Sequence, residues 1–412
     1  MTLEDVSFTR GRHVFAFLGV VTFLTAIGNI GLVSVMPTIG RAVGMPDYLV
    51  ASVFSLSALT WAVSSPFWTR HVAGAGPNRY IRAGLVGFLL SMAGCGGAVA
   101  FGLAGLITPF ACFLGFFVLR AVFGFLGSAS AIATQSLIAH ATAGEQRTRV
   151  LTGLAGALSL GTIVGPAVAP FAIVEPLGLT GPMVLFAALG ALALAGTYVF
   201  LPSGADAAAP SAARTGSDNS ILSVWRGRGS GPALSFGLLL CSAQAINLYT
   251  IGFVLLDRVR GGPLAAQDSI GMTMTLGAAM ALVAQWGLPR IMRPVPMRMM
   301  LIGTALSLVG NLIALLDPSE LAASTGFVVA CFGYGQARPG FSAAASLGGT
   351  DAEQVAIASA TSFIAGASIM LPPVVAAAAY EGWAGAPFAL AIGLLVLGLG
   401  VLAAGSIVFR ER

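Results

Sequence analysis

An arginine inside a long apolar run is the residue of this chain best suited to chemistry at membrane depth. Arg120 lies between Leu106 and Ile138, a stretch that contains no other formal charge. Burying a guanidinium in hydrocarbon costs at least a few kcal/mol, and residues that do so are usually functional. The planar guanidinium can hold an anionic group through two parallel contacts. Arg120 is therefore predicted to hold a negative or hydrogen-bonding group of a substrate, and a purely structural arginine is the alternative.

The next apolar segment carries small residues on one face. They recur at intervals of four, as Gly153, Ala157, Gly161, Gly165 and Ala169. Pro166 lies beside this stripe. Residues four apart share a helix face, and small residues let two helix backbones approach closely. The stripe is predicted to be a surface of close helix contact.

The histidines and cysteines form no metal-binding pattern. His13, His71 and His140 are isolated near predicted span ends, and the four cysteines fall in apolar spans without paired metal spacing. No nucleophile and base can be paired at membrane depth either. The sequence therefore predicts a protein that is not an enzyme and that binds no metal or other cofactor.

Composition places these residues in a membrane protein. The 412 residues are 57% hydrophobic and 8% charged, with a mean hydropathy of +0.92, which is far more apolar than a soluble domain. All basic residues are arginine, without a basic patch of interleaved aromatic residues, so nucleic acid is not an expected partner. Counting spans of about 20 residues, we predict twelve transmembrane helices at 14–38, 48–68, 83–105, 106–139, 150–172, 182–201, 232–256, 269–289, 299–316, 321–345, 355–379 and 386–409.

The arginines predict the orientation of these spans. An even number of spans puts both termini on one side of the membrane. If that side is the cytoplasm, fifteen arginines are inside and three are outside, namely Arg41, Arg258 and Arg260. Positive charge is enriched in cytoplasmic loops. We therefore predict a multi-pass protein of the inner membrane with both termini in the cytoplasm.

A single long polar segment divides the chain. It runs from Pro202 to Gly231, is rich in Ala, Ser, Gly and Asp, and reads as a flexible cytoplasmic linker. Near its end, Asp218-Asn219-Ser220 could cap a short interfacial helix carrying Ile221 and Trp225, and an unstructured linker is the alternative. The predicted domains are residues 1–201, the linker 202–231, and residues 232–412, with six spans in each half. A weak repeat relates the halves, since Phe123-Gly124 has a counterpart in Phe332-Gly333.

Three motifs resemble those of a known family. Leu119-Arg120 followed by Gly124 is similar to its fourth-helix motif, and Gly161-Thr162-Ile163-Val164-Gly165-Pro166 is similar to its fifth-helix antiporter motif. Arg70, Gly76 and Arg79 match the loop between its second and third helices. Over essentially its whole length the chain resembles the major facilitator superfamily, and most of all the drug:proton antiporter branch. The departures are Thr69, Ala73, Pro77 and Asn78 in the loop and Ala169-Pro170 after the antiporter motif.

The resemblance implies an all-α fold of two six-helix bundles in which helices 1, 4, 7 and 10 face a central cavity. The polar residues on those helices become candidate substrate contacts, namely Asn29, Arg120, Gln244, Asn247, Tyr334, Gln336 and Arg338. For the amides, an interhelical hydrogen bond is the alternative role. The candidate residues for conformational change are those of the motifs, namely Arg70, Gly76, Arg79, Gly124, Gly161, Gly165 and Pro166.

Proton carriers in this branch are commonly acids inside a helix, and here the sequence departs from that pattern. All fifteen Asp and Glu residues fall in predicted loops or at span ends. The nearest candidates are Glu175, after the fifth span, and Asp257, at the end of the seventh. For both of them a simple loop charge is the alternative.

The resulting hypothesis is a monomeric secondary-active exporter of small amphipathic or anionic organic molecules, resembling drugs or metabolites. The resemblance implies proton antiport and alternating access in the lipid bilayer. An uptake permease or uniporter for a small organic solute is the alternative, favoured by the missing intramembrane acid. A sensor that has the fold without transporting a solute is a third possibility.

Overall fold

The protein is described by a computed structural model, which covers residues 3–72, 76–142, 144–201, 221–227, 229–287, 295–350 and 353–410. These residues are helical or lie in short turns, and no strand occurs among them. This agrees with the predicted all-α class. Backbone groups in hydrocarbon must be satisfied within their own segment, which a helix achieves.

Six long helices precede the linker. They are α1 (Leu3–Val43), α2 (Asp47–Val72), α3 (Pro77–Leu103), α4 (Pro109–Ala141), α5 (Gly144–Val168) and α6 (Gly181–Phe200). Their starts follow from the sequence. α4, for example, begins with Pro109 in its first turn, and the hydroxyl oxygen of Thr108 accepts a hydrogen bond of 3.2 Å from the Ala111 amide. Short 3₁₀ turns at Pro170–Ala172 and Gly178–Thr180 connect α5 to α6.

The remaining helices follow the linker. They are α7 (Ile221–Arg226), α8 (Gly231–Arg258), α9 (Pro263–Leu282), α10 (Pro296–Leu316), α11 (Glu320–Leu347), α12 (Gln354–Met370), α13 (Pro372–Gly382) and α14 (Ala386–Arg410). A wider turn, Val283–Gly287, extends α9. The helix break between α12 and α13 falls at Leu371, directly before Pro372 and Pro373. Proline cannot donate the backbone hydrogen bond that would continue the helix.

Eleven stretches of the described chain are long and apolar enough to cross a membrane. The twelve predicted spans include one more, at 321–345. That segment forms α11, a helix of 28 residues. This helix is less apolar than the eleven stretches, because Gln336, Arg338 and many small residues lower its mean hydropathy. Length would still allow α11 to cross a bilayer, since a span needs about 20 residues.

Two compact units divide the chain. The first comprises Met1–Met45 and Leu56–Arg214, and the second comprises Pro46–Ser55 and Thr215–Arg412. The sequence offered no sign that residues 46–55, which include the first turns of α2, group with the second half. The predicted domains 1–201 and 232–412 otherwise stay predictions. Most of the predicted linker, residues 202–220 and 228, lies outside the described residues, as does the predicted cap at 218–220.

The first unit is built on close contacts between small residues. α1 packs on α5, and α3 packs on α4 and α6. Phe88 of α3 lies against Gly28 of α1 and Gly190 of α6, where glycine leaves room for the ring. Lipid offers no hydrophobic drive between helices, so association depends on dispersion contacts of this kind.

The second unit is packed around α11. Gly326 and Gly333 contact Gly310 and Gly303 of α10, backbone against backbone. On another side of α11, Gly335 contacts Ala281 of α9. The short helix α7 belongs to this unit. Its Trp225 donates a hydrogen bond of 2.9 Å from Nε1 to the Ser235 hydroxyl of α8.

Candidate functional site

Arg120 lies on α4 and is buried, with 4% of its surface exposed. Its guanidinium carbon is 4.9 Å from the centroid of the Phe123 ring. The Phe123 ring contacts Phe88 at 5.6 Å and Trp61 at 6.1 Å. The Arg120 guanidinium also lies near enough to Cys95, on α3, for an electrostatic interaction. Aromatic rings therefore border the cation on one side.

One turn after Arg120, Gly124 allows α4 to cross α2 closely. A Cβ atom at this position would collide with the hydroxyl of Thr60 and the carbonyl of Ser57. Further along the same crossing, the hydroxyls of Ser64 and Ser128 are 2.7 Å apart. The motif glycine is therefore explained by a helix crossing, and its part in conformational change stays a prediction.

The loop motif lies at the end of α2 and the start of α3. Gly76 has a φ of 70°, which favours glycine, directly before α3. Arg70 and Arg79 are exposed. Arg79 donates a 2.8 Å hydrogen bond to the Tyr80 hydroxyl, which in turn donates to the His71 carbonyl at 3.1 Å. Tyr80 thus joins the two helices, and sequence reasoning missed it because the family motif stops at Arg79.

The α5 stripe contacts α1, but only in part. A Cβ atom on Gly161 would lie 2.5 Å from the Ala26 methyl and 2.7 Å from the Phe23 carbonyl oxygen, and one on Gly165 would lie 2.8 Å from the Gly31 amide nitrogen. Pro166 is buried beside these residues. Gly153, by contrast, is exposed and a Cβ there would meet nothing within 4 Å. The predicted contact surface is therefore wrong at Gly153, where no other described helix lies within contact distance.

Asn29 is the substrate contact predicted on α1, where two threonines lie one turn or more before it. The hydroxyls of Thr22 and Thr25 donate to the carbonyls of Leu18 and Val21 within the same helix. Asn29 is half-buried, and its Oδ1 atom is buried without a hydrogen bond in the described part of the chain. Asn29 thus has a carbonyl oxygen available to accept a hydrogen bond.

In the second unit, three polar side chains meet in the interior. The amides of Asn247 (α8) and Asn311 (α10) each donate a hydrogen bond of 3.2 Å to the hydroxyl of Tyr334 (α11). All three residues are at most 3% exposed. Both asparagine Oδ1 atoms are buried and lack a hydrogen bond from any described residue. The sequence predicted Asn247 and Tyr334 but missed Asn311, because the ninth span was not expected to face a cavity.

The other predicted contacts of this unit are Gln244, Gln336 and Arg338. Gln244 is half-buried on α8, one turn before Asn247, and Gln336 is 7% exposed on α11. Arg338 is exposed, and its charge acts on the buried Cys241 of α8. Arg338 therefore lies beside α8 rather than within the Tyr334 cluster.

Acidic residues remain near helix ends. Asp257 is exposed at the end of α8, and its Oδ2 accepts a hydrogen bond of 2.5 Å from the Tyr380 hydroxyl. Asp47, at the start of α2, is 5% exposed, and its backbone amide donates to Glu381 at 3.1 Å. Glu175 is exposed in the turn after α5. Sequence reasoning did not single out Asp47, because a residue at a span end gives no sign of burial.

No group of three His, Cys, Asp or Glu side chains in the described ranges could hold a metal ion.

Comparisons with known proteins give a consistent result. A model of the Major Facilitator Superfamily matches residues 18–373. No curated protein sequence matches significantly. Among solved structures, a POT family transporter in complex with a thioalcohol-conjugated peptide is similar at 13% identity, with a TM-score of 0.71 and 96% of each chain covered. The nucleoside transporter NupG is similar at 15% identity, with a TM-score of 0.69, 97% of this chain and 100% of that chain covered.

A third similar structure is the human organic anion transporter MFSD10 (TETRAN), at 18% identity with a TM-score of 0.64, covering 95% of this chain and 99% of that chain. At such identities the likeness concerns the fold. These structures do not single out the drug:proton antiporter branch, which stays a prediction.

Proposed function

Because this chain belongs to the major facilitator superfamily and is a multi-pass membrane transporter of small solutes, we propose that it exports small amphipathic or anionic organic molecules by proton antiport. In this proposal a monomer in the inner membrane works by alternating access. The bundles 1–201 and 232–412 rock about the linker 202–231, and both termini are cytoplasmic.

The observation that carries the proposal is the burial of Arg120 beside an aromatic ring. A guanidinium at 4% exposure, 4.9 Å from the Phe123 ring centroid, combines positive charge with apolar surface. An anionic group attached to an apolar body complements both features. Asn29 in the first unit, and Gln244, Asn247, Tyr334, Gln336 and Arg338 in the second, supply the proposed remaining contacts.

The direction of transport is proposed from α5. Gly161, Gly165 and Pro166 match the antiporter motif, and two of them lie at the closest approach of α5 to α1. Because small residues line the contact between α5 and α1, these two helices can slide past one another without large side chains blocking the movement. Arg70, Gly76, Arg79 and Gly124 are proposed to take part in the same motion.

Proton coupling would use an acid near a helix end. Asp257, held by the Tyr380 hydroxyl, and Asp47, next to Glu381, are two acids that bond to other helices. Both belong to the second unit. Each is proposed as a proton-accepting group, with Asp257 the stronger candidate because its carboxylate itself accepts the hydrogen bond, whereas Asp47 is bonded through its backbone amide.

An uptake permease or uniporter is the second candidate. It is favoured by one observation, namely that Asp47 is the sole buried acid among the described residues and lies at a helix end. Without an acid deep in a span, coupling to protons has no obvious carrier.

Transport into inside-out vesicles distinguishes these functions. A panel of labelled aromatic carboxylates is added to vesicles with an acidic lumen, and a protonophore is added to a parallel sample. Proton-coupled export predicts accumulation that the protonophore abolishes. Equal rates with and without the gradient, in vesicles of either orientation, would instead identify a uniporter. Arg120→Ala vesicles serve as the site control, since the proposal requires that they accumulate none of these anions.

A further inference from the structure

A groove lies between α9 and α11 in the second unit, and the Tyr334 cluster does not line it. Its volume is 890 Å³. One end carries the charged residues Arg258, Arg260 and Glu320, together with the hydroxyls of Ser269 and Ser324. The remaining wall is largely apolar and includes Met272, Leu276, Leu321, Val328 and Val329. The groove is therefore amphipathic along its length.

Its length matches half of a bilayer. Glu320 is the first residue of α11, and Val329 lies nine residues further along that helix. At about 1.5 Å per residue this spans about 14 Å, close to half of a hydrocarbon core of about 30 Å. Met272 and Leu276 on the opposite wall are 68% and 50% exposed. An occupant would thus have its polar end at the helix ends and its hydrocarbon toward the middle of the membrane.

The polar end holds two guanidinium groups, with Glu320 in its wall and Asp317 beside Arg258. Arg258 is held in place, because its guanidinium donates to the carbonyls of Ala314, Asp317 and Ser319 at 3.1, 3.1 and 3.3 Å. Arg260 is exposed and forms no hydrogen bond to any described residue. Glu320 is the acid of the groove, and its carboxylate accepts a hydrogen bond of 2.5 Å from the Ser269 hydroxyl.

We propose that this groove binds one glycerophospholipid with an anionic headgroup. The phosphate lies at Arg260, within the field of Arg258, and one acyl chain lies along Met272, Leu276, Val328 and Val329. Guanidinium groups bind phosphate through charge-assisted hydrogen bonds, and each basic residue near an anionic headgroup adds about 1 kcal/mol to binding. The walls bind hydrocarbon by close contact. The site does not depend on the direction of transport or on its substrate.

Native mass spectrometry of the full chain in detergent tests the site. Dioleoylphosphatidylglycerol is expected to bind more tightly than dioleoylphosphatidylcholine, and Arg260→Ala should weaken phosphatidylglycerol binding about fivefold. Arg226→Ala, which removes an exposed arginine of the same unit outside the groove, is the matched control and should keep the parent affinity. Equal affinities of Arg260→Ala and Arg226→Ala would overturn the proposal.

Two further variants separate the headgroup from the chain. Glu320→Gln removes the negative charge yet still accepts the Ser269 hydrogen bond, so it should tighten phosphatidylglycerol binding about fivefold. Leu276→Trp should fill the groove and abolish the preference for phosphatidylglycerol, with the melting temperature of the lipid-free protein unchanged. Glycerol 3-phosphate supplies the headgroup without chains. If it binds as tightly as the lipid, the groove is a small-anion site and the lipid assignment is wrong.

Discussion

The side-chain amide of Asn311 donates a 3.2 Å hydrogen bond to the hydroxyl of Tyr334, and these residues are 1% and 0% exposed. Asn247 donates to the same oxygen from α8 at 3.2 Å. Interhelical hydrogen bonds in membranes average about 0.6 kcal/mol, because separated helices find other partners. Here a single oxygen joins three helices, so its loss leaves an N–H of each amide buried and unsatisfied.

Tyr334→Phe is therefore expected to lower the free energy of unfolding by about 2 kcal/mol, since a buried unsatisfied donor costs about 1–3 kcal/mol. Unfolding in mixed micelles of increasing sodium dodecyl sulfate measures it. Tyr198→Phe, at a tyrosine that is 66% exposed, is the control. Adding Asn311→Leu to Tyr334→Phe should recover part of the loss. If Tyr334→Phe unfolds like the parent, the hydroxyl does not hold these helices together.

Replacing Arg120 distinguishes a binding role from a structural one. Arg120→Ala should abolish transport and leave a folded protein in the membrane, because the charge acts on the substrate. Arg120→Lys should recover only part of the activity, since an ammonium lacks the bidentate fork. Thermal stability in detergent and vesicle transport are measured on the same samples, with the exposed Arg298→Ala as control.

For Arg120, two results would contradict the assignment. A stable Arg120→Ala protein that transports at the parent rate has no need of the cation. An Arg120→Ala protein that fails to fold, together with a fully active Arg120→Lys, would point to a structural charge that any cation can supply.

The close contact of α5 with α1 predicts a sharp contrast between two glycines. Gly161→Leu must separate the helices, because even a Cβ atom would lie 2.5 Å from the Ala26 methyl. Overpacking of this kind costs about 1–3 kcal/mol. We expect transport to fall by at least tenfold, with a melting temperature lowered by only a few degrees.

Gly153→Leu is the matched control for Gly161→Leu, since it lies on the same helix with nothing within 4 Å of its Cβ position. It should transport at the parent rate. Parent-like transport by folded Gly161→Leu would show that this contact does not move during the cycle.

The arginine asymmetry predicts the topology. Reporter fusions at both termini, and within Pro202–Gly231, should be active only in the cytoplasm, because fifteen arginines then lie inside and three outside. Fusions after Arg260 should report the opposite side. If a reporter in the linker were active only outside the cell, the predicted orientation of the motif loops would be inverted. The proposed direction of transport would then be wrong as well.

Much of this protein could be predicted from sequence because a membrane span has a strong signature. Every predicted span overlaps a helix, although α1 begins at Leu3 rather than at residue 14 and the span 355–379 is divided at Leu371. Helix α4 places Arg120 in a buried position. Gly124, Gly161 and Gly165 were recognisable because close helix crossings need small residues at regular spacing. Family membership followed from the same motifs.

The tertiary structure alone decided which faces of these helices meet. A soluble helix reveals its buried face by an apolar stripe, but lipid is as apolar as a protein interior, so both faces of a span look alike. For that reason neither the pairing of Asn311 with Tyr334 and Asn247 nor the exposure of Gly153 could be read from periodicity. The groove beside Arg260 depends on how α9 and α11 are rotated about their axes, and only long-range packing between helices sets that rotation.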